Sequence, residues 1–130
     1  MPLRRLEHLL VLTDDLEATR SFYRDALRLE VGERPPLAFP GYWLYLHGVP
    51  CVHVAEREAY EAHAAEIGLS AREGPIDHVA FASDDCDELV ARLDAAGIEA
   101  VTNSVPAARL RQLFLTDPNG VRIELNFAGR

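Results

Sequence analysis

The apolar positions in the first half of the chain change period several times, and each change predicts a new element. Residues 6 to 13 are an apolar run typical of a buried strand, whereas apolar side chains recur at helical spacing after Asp15. His47 and Gly48 separate two strand-like runs and indicate a hairpin turn. The predicted elements are a strand at 6–13, a helix at 15–28, and strands at 29–33, 41–46 and 49–55.

The second half of the chain repeats this order. Asp84 and Asp85 precede another helical pattern, and Gly97 is suited to end that helix because glycine readily adopts a positive φ. The segment 117–120, Asp-Pro-Asn-Gly, indicates a turn between two strands. We predict strands at 76–82, 98–102, 109–116 and 121–127, with the helix between the first two.

Each half is therefore predicted to have the order β-α-β-β-β. The first module covers about residues 4–55 and the second about 76–128. A charged, Ala-rich linker, helical at about 56–67, joins them over 56–75. We expect a single α+β domain over residues 1–130, because this length supports one sizeable core but not two large ones.

Composition narrows the class of function. The chain is 48% hydrophobic and carries a formal net charge of −8, so no basic surface is expected for nucleic acid or for an anionic membrane. It has no apolar run of transmembrane length and no signal-peptide pattern at its start. Cys51 and Cys86 form no disulfide framework, which favours a cytoplasmic protein.

The two halves also resemble each other residue by residue. Residues 6–15 can be aligned with residues 76–85 at a constant offset of 70, which places His8 on His78. Each half thus carries a histidine at the same point of its first predicted strand. One unit has been duplicated to build the chain.

The fourth predicted strand of each half also carries a possible ligand, His53 or Glu124. A lone histidine in an apolar strand is usually a hydrogen-bonded core residue, and the alternation around Glu124 would also suit a solvent-facing strand. Two equivalent pairs of ligand-type residues are harder to explain by packing alone. We therefore predict that His8, His53, His78 and Glu124 converge on one metal ion.

His8, His78 and the segment Asp117–Leu125 resemble the vicinal oxygen chelate superfamily, which includes glyoxalase I, fosfomycin-resistance enzymes, extradiol dioxygenases and bleomycin-binding proteins. The resemblance spans essentially the whole chain. It implies two tandem βαβββ modules that form a cupped mixed sheet with helices on the outside. It also implies a divalent metal and a homodimer, with the site built from one chain or from two.

In this family, His8, His78 and Glu124 would be the metal ligands. Two histidines and one carboxylate match the facial triad of non-haem Fe(II) oxygenases, so Fe²⁺ is favoured, although Mn²⁺, Ni²⁺ or Zn²⁺ also suit them. The remaining positions on the ion would accept two adjacent oxygens of a small-molecule substrate.

His53 separates the possible reactions. Glyoxalase I-type enzymes usually carry a glutamate at this place, whereas extradiol dioxygenases have a nearby histidine that acts as an acid–base catalyst. We therefore favour extradiol-type ring cleavage with His53 in that catalytic role. Phe114 lies where those dioxygenases have a tyrosine, which weakens the match. His53 as a fourth metal ligand is an equal alternative.

Other functions remain open. The same ligands could serve a glyoxalase I-like isomerase or lyase, or a fosfomycin-resistance-like transferase. A metal-free bleomycin-type binding protein is the third possibility, because an acidic cup suits a cationic drug.

Regular hairpins would place His53 opposite Tyr42, and Glu124 opposite Leu113 with Asn126 opposite Arg111. Tyr42 and Arg111 are therefore predicted substrate contacts, although a single bulge would reverse this facing. We predict that the large aromatic side chains belong to the core beneath the helices: Trp43, Phe81 and Phe114.

Overall fold

The computed structural model describes residues 2–116 and 121–129. Within them the elements are β1 (Leu3–Thr13), α1 (Leu16–Leu27), β2 (Glu30–Gly32), β3 (Gly41–Leu46), β4 (Val49–Glu56), α2 (Arg57–Glu66), β5 (Ile76–Ser83), α3 (Cys86–Ala95), β6 (Val101–Val105), β7 (Leu110–Thr116) and β8 (Arg122–Ala128). A 3-10 turn at Pro106–Ala108 precedes β7. The turn predicted at 117–120 lies outside the described residues.

This order confirms the predicted α+β class and the repeated β-α-β-β-β pattern. The largest boundary differences are of three residues: β1 begins at Leu3 rather than at residue 6, and β6 begins at Val101 rather than at residue 98. His47 and Gly48 form the predicted hairpin turn, and both have a positive φ, at 49° and 78°. Such values match the right-handed twist of the strands that a two-residue turn joins.

Two aspartates start equivalent helices. The carboxylate of Asp15 accepts a hydrogen bond from the backbone N–H of Ala18 at 3.0 Å, and that of Asp85 accepts one from Glu88 at 3.1 Å. Each carboxylate satisfies an amide that the first helical turn leaves without a partner. The second aspartate of each Asp-Asp pair is therefore the helix cap.

The chain divides into two compact units. The N-terminal unit is His8–Asp77, and the C-terminal unit combines the residues up to Glu7 with those from His78 onward. The strand order is β2-β3-β4-β1 in the N-terminal unit and β5-β8-β7-β6 in the C-terminal unit. In both, the first strand pairs in parallel with the fourth and the other neighbours are antiparallel.

The N-terminal unit has two apolar clusters. One contains Leu29, Leu44 and Val54, against which Leu16 and Tyr23 of α1 pack. The other joins β1 and β4 to α2 and consists of Leu10, Leu12, Ala55, Tyr60 and Ala64. Burial of these side chains is the main term that holds α1 and α2 to their sheet.

The C-terminal unit has one large apolar cluster, in which α3 covers one face of the sheet. Its buried members are Leu89, Leu93, Leu113, Leu125 and Phe127. Phe81 packs against this cluster, so its predicted place in the core beneath a helix is confirmed.

No helix in the described part of the chain is both long and apolar enough to span a membrane.

Candidate functional site

In the C-terminal unit, β8 presents two different faces. Leu125 and Phe127 belong to the apolar cluster under α3, so Glu124 and Asn126 lie on the opposite face of the strand. β5 runs parallel to β8 with Ala80 paired to Glu124, and His78 precedes Ala80 by two residues. The period of two therefore brings His78 and Glu124 to one face of the sheet.

The two side chains are in contact and almost wholly buried. Nε2 of His78 lies 3.2 Å from Oε1 of Glu124, and the side chains are 3% and 6% exposed. A carboxylate removed from water to this degree requires a cation or several hydrogen-bond donors beside it. An imidazole nitrogen beside a carboxylate oxygen is also a donor set that suits Fe²⁺, Mn²⁺, Ni²⁺ or Zn²⁺, so these residues fit the metal that was predicted.

The second oxygen of Glu124 is held by an amide. Nδ2 of Asn126 donates to Oε2 of Glu124 at 2.7 Å and also to Oε1 of Glu7 at 2.7 Å. Oδ1 of Asn126 accepts from Nε2 of Gln112 at 3.2 Å, and Oε1 of Gln112 accepts from Nδ2 of Asn103 at 2.8 Å. We call Asn103, Gln112 and Asn126 the amide ladder, since they cross β6, β7 and β8 in turn.

Phe114 covers the same face. It pairs with Glu124 across β7 and β8, and its ring lies edge-on to the imidazole of His78 with centroids 6.2 Å apart. Its predicted place beneath the helix is therefore wrong, and Leu113 occupies that core instead. Phe114 brings no hydroxyl to the carboxylate it faces.

In the N-terminal unit, three rings form a column. The imidazole of His53 stacks on that of His8 with centroids 3.6 Å apart, and the indole of Trp43 stacks on the other side of His53 at 4.2 Å. His8 is buried, at 5% exposure. We call these three residues the ring stack. The prediction that Trp43 belongs beneath a helix is wrong.

Because the rings of His8 and Trp43 stack on the faces of His53, its polar contacts are made at the edge of the imidazole. Nε2 of His53 lies 3.1 Å from the carbonyl oxygen of Pro50. Because a carbonyl oxygen only accepts, Nε2 must carry the hydrogen of the neutral ring. The lone pair of that tautomer is then on Nδ1, which is the atom that could take up a proton or bind a metal.

Both hairpin pairings predicted from sequence are wrong by one residue. His53 pairs with Trp43 rather than with Tyr42, because the register shifts at an irregularity between Leu44 and Tyr45. This is the bulge that would reverse the facing.

In the C-terminal hairpin, Glu124 pairs with Phe114. Thr116 pairs with Arg122 rather than with residue 121, so the register differs by one residue from the one we assumed.

Tyr42 and Arg111 consequently pair with Val54 and Phe127. The hydroxyl of Tyr42 donates to both carboxylate oxygens of Glu17 at 2.9 Å, and this bond raises the pKa of Tyr42. Arg111 is exposed. Their roles as substrate contacts stay predictions, but the register argument behind them is lost.

Sequence reasoning missed the contributions of Trp43 and of the amide ladder. The duplication contained a signal for the first, since Trp43 and Phe114 stand ten residues before His53 and Glu124, at equivalent places. The polar alternation at Glu124 and Asn126 was visible too, but the partners on other strands depend on register.

Comparison with known proteins places these observations in a family. The model of the Glyoxalase/Bleomycin resistance protein/Dioxygenase superfamily matches residues 5–125. The comparison with curated proteins gave no significant match.

Solved structures share the fold. Methylmalonyl-CoA epimerase from Mycobacterium tuberculosis is 20% identical with a TM-score of 0.76, over 98% of this chain and 90% of that one. A variant of the Streptomyces coelicolor epimerase, in complex with 2-nitronate-propionyl-CoA, is 22% identical with a TM-score of 0.72, over 97% and 95%. The 2,2',3-trihydroxybiphenyl 1,2-dioxygenase of Sphingomonas wittichii is 20% identical with a TM-score of 0.64, over 96% and 42%. At these identities the similarity establishes the fold alone.

Proposed function

Because the chain belongs to the Glyoxalase/Bleomycin resistance protein/Dioxygenase superfamily, we propose that it is a divalent-metal-dependent enzyme acting on a small molecule with two adjacent oxygens. His8, His78 and Glu124 are the proposed ligands. The observation that carries the proposal is the buried contact between His78 and Glu124.

The chemistry of the three residues supports this assignment. Each offers one ligand atom and each is buried. Burial favours a metal because a carboxylate and two imidazoles lose their hydration when they are enclosed, and a divalent cation would replace it. The repeated strand register adds to this, since Leu10 pairs with His53 as Ala80 pairs with Glu124.

A bound divalent cation would supply Lewis-acid stabilisation of an oxygen anion of the substrate. Fe²⁺ is the favoured ion because the ligand set is two histidines and one carboxylate. The chain itself would orient the ligands, through the ring stack for His8 and through Asn126 for Glu124.

His53 is the proposed residue for proton transfer. Its Nε2 hydrogen is directed to the Pro50 carbonyl, so any proton that it takes up goes to Nδ1. Stacking between His8 and Trp43 fixes the plane of the ring. A fixed imidazole beside a metal ligand could serve as an acid–base group or as a fourth ligand.

Two reaction classes fit this arrangement, and different observations favour them. The ligand set favours extradiol-type ring cleavage of a catechol. Phe114 opposite Glu124 favours a reaction without oxygen, such as proton transfer beside a carbonyl in an isomerase or epimerase, because the residue paired with Glu124 carries a phenyl ring rather than a phenol.

Metal analysis followed by activity assays tests the proposal. Purified protein should contain about one divalent ion per chain by elemental analysis. Oxygen uptake with catechols under Fe²⁺, together with formation of the ring-opened product, would establish ring cleavage. Exchange of a substrate C–H proton with deuterated water under Mn²⁺, Ni²⁺ or Zn²⁺, without oxygen uptake, would establish the isomerase class. A protein that takes up no metal but binds a cationic drug would contradict the enzyme proposal.

Mixing two inactive variants tests whether one chain or two supply the ligands. His8→Ala and Glu124→Ala each remove a ligand. If the site is shared between two chains, unfolding and refolding the mixture restores metal binding to some assemblies. If it lies within one chain, the mixture binds no more metal than either variant.

A homodimer is also proposed, because β2 and β6 end the strand order of their units and unpaired strand edges favour association. Sedimentation that shows only monomer at micromolar concentration would contradict it. A cytoplasmic location stays a prediction.

A further inference from the structure

Asn126 is buried to the same extent as the carboxylate beside it. Asn126 and Glu124 are each 4% exposed, and they are two residues apart on one face of β8. Asn126 directs its Nδ2 group to two carboxylates, at 2.7 Å from each.

The amide ladder fixes which end of Asn126 faces Glu124. A carboxylate accepts hydrogen bonds but cannot donate them, so the atom that faces Glu124 and Glu7 must be the donor Nδ2. Oδ1 of Asn126 must then face Gln112, whose Nε2 donates to it at 3.2 Å. Gln112 is held in turn because its Oε1 accepts from Asn103. Every amide in the ladder therefore donates in the direction of Glu124.

The two oxygens of Glu124 consequently have different roles. Oε2 accepts the hydrogen bond from Asn126, while Oε1 is the oxygen that lies near Nε2 of His78. A hydrogen bond to an ionised carboxylate is short and about twice as strong as one between neutral groups. Such a bond restrains rotation of the carboxylate and keeps Oε1 on the side of the histidine.

We propose that Asn126 is a positioning residue that presents Oε1 of Glu124 as a single-oxygen metal ligand. The inference rests on the proposed metal site and deepens it. Asn126 does not bind the ion itself. It acts through Glu124, and partners of this kind typically change metal affinity about 10–100-fold when they are removed.

The test compares Asn126→Leu and Asn126→Ala with two controls, using titration of the apo-protein with Mn²⁺ alone. Leucine has the same number and branching of side-chain heavy atoms as asparagine but donates no hydrogen bond. Thr102→Ala alters an exposed position on β6 that is outside the ladder. Leu113→Val weakens the core of the same unit, so it reports what loss of stability alone does to metal affinity.

We expect both Asn126 variants to bind Mn²⁺ about 10–100-fold more weakly than the wild type, while Thr102→Ala and Leu113→Val retain wild-type affinity. Unchanged affinity in both Asn126 variants would overturn the positioning role. Equal weakening in Leu113→Val would overturn it too, because the effect would then be general destabilisation.

A second measurement needs no metal. In urea unfolding of the apo-protein, Asn126→Leu should lower the midpoint less in a Glu124→Ala background than in the wild type, because the charged partner is already gone. Additive shifts would contradict the contact. If the wild type binds none of Fe²⁺, Mn²⁺, Ni²⁺ and Zn²⁺ while the shifts are non-additive, the proposed function and the positioning role fail together, although the contact stands. If the wild type binds Mn²⁺ and the Asn126 variants bind it equally well, the positioning role alone fails.

Discussion

The two units use the same frame to present opposite kinds of chemistry. In each, the fourth strand carries a possible ligand opposite a large aromatic residue: His53 faces Trp43 in the N-terminal unit, and Glu124 faces Phe114 in the C-terminal unit. The N-terminal residue is an imidazole held between flat rings. The C-terminal residue is a carboxylate held by an imidazole and an amide.

Two residues after the possible ligand, the fourth strands carry Ala55 in the N-terminal unit and Asn126 in the C-terminal unit. The surroundings of these two residues differ in the same way as the ligands do. Ala55, paired with Gly41 and Leu12, is fully buried in the apolar cluster under α2. Its counterpart Asn126 pairs with Gln112 and Ala82 and belongs to the amide ladder. A methyl group suits an apolar surrounding, whereas a buried carboxylate requires donors. The surroundings of these two equivalent positions therefore differ in the same sense as the ligand-type residues beside them.

Removal of the aromatic partners should have the largest effect on stability. Phe114 is 5% exposed, so Phe114→Ala should lower the free energy of unfolding by about 3–5 kcal/mol. Trp43→Ala should cost less, because Trp43 is only partly buried and packs on one polar ring. Urea unfolding of both variants measures the difference. A larger loss in Trp43→Ala would contradict this ranking of the two units.

An asparagine at the equivalent position of the N-terminal unit should lower the stability of the protein. Ala55→Asn buries an amide among Leu12, Tyr60 and Ala64, with an expected cost of about 1–3 kcal/mol for its unsatisfied groups. Ala62→Asn on the exposed side of α2 is the matched control, and it should cost only the helix propensity difference, about 0.7 kcal/mol or less. Equal losses in thermal unfolding would show that the surroundings of Ala55 and Asn126 do not differ as described.

The ring stack should make Trp43 a reporter of metal binding. Trp43 is the only tryptophan of the chain, and it stacks on His53, which stacks on the proposed ligand His8. Addition of Mn²⁺, a paramagnetic ion, should quench its fluorescence in the wild type and not in Glu124→Ala. If Mn²⁺ binds and the tryptophan emission does not change, the ring stack is not close to the metal site.

The smallest predicted effect concerns Tyr42, whose hydrogen bond to Glu17 raises its pKa. A raised pKa in the folded state means that the bond stabilises the fold below the ordinary value near pH 10, and that this contribution is lost as pH rises through the folded value. In Glu17→Gln, Tyr42 should ionise at lower pH, as followed by tyrosinate absorbance with Tyr42→Phe for assignment. No change in that titration would mean that the exposed bond does not persist in solution.

The sequence was informative where local chemistry determines structure. The capping aspartates, the His47-Gly48 turn and the apolar periods predicted most of the elements, because each depends on neighbours in the chain. The duplication also identified His8, His53, His78 and Glu124 as equivalent pairs.

The pairing of residues across neighbouring strands could not be predicted in the same way. Which residues face each other depends on the register of the two strands, and one bulge shifts that register by one residue. A shift of one residue moves every side chain of the strand to the other face of the sheet. The irregularity between Leu44 and Tyr45 has no residue signature of its own. For this reason Tyr42 and Arg111 were assigned to the site, while Trp43 and the partners of Asn126 on other strands were missed.

Calorimetric titration of Mn²⁺ into the apo-protein tests the central claim most directly, with the wild type compared with His8→Ala, His78→Ala and Glu124→Ala. His47→Asn is the control, since His47 lies in an exposed turn at positive φ, which asparagine tolerates. We predict about one ion per chain for the wild type and the control, and a loss of binding in each of the three ligand variants. Binding that is absent from the wild type, or that survives in all three ligand variants, would contradict the account.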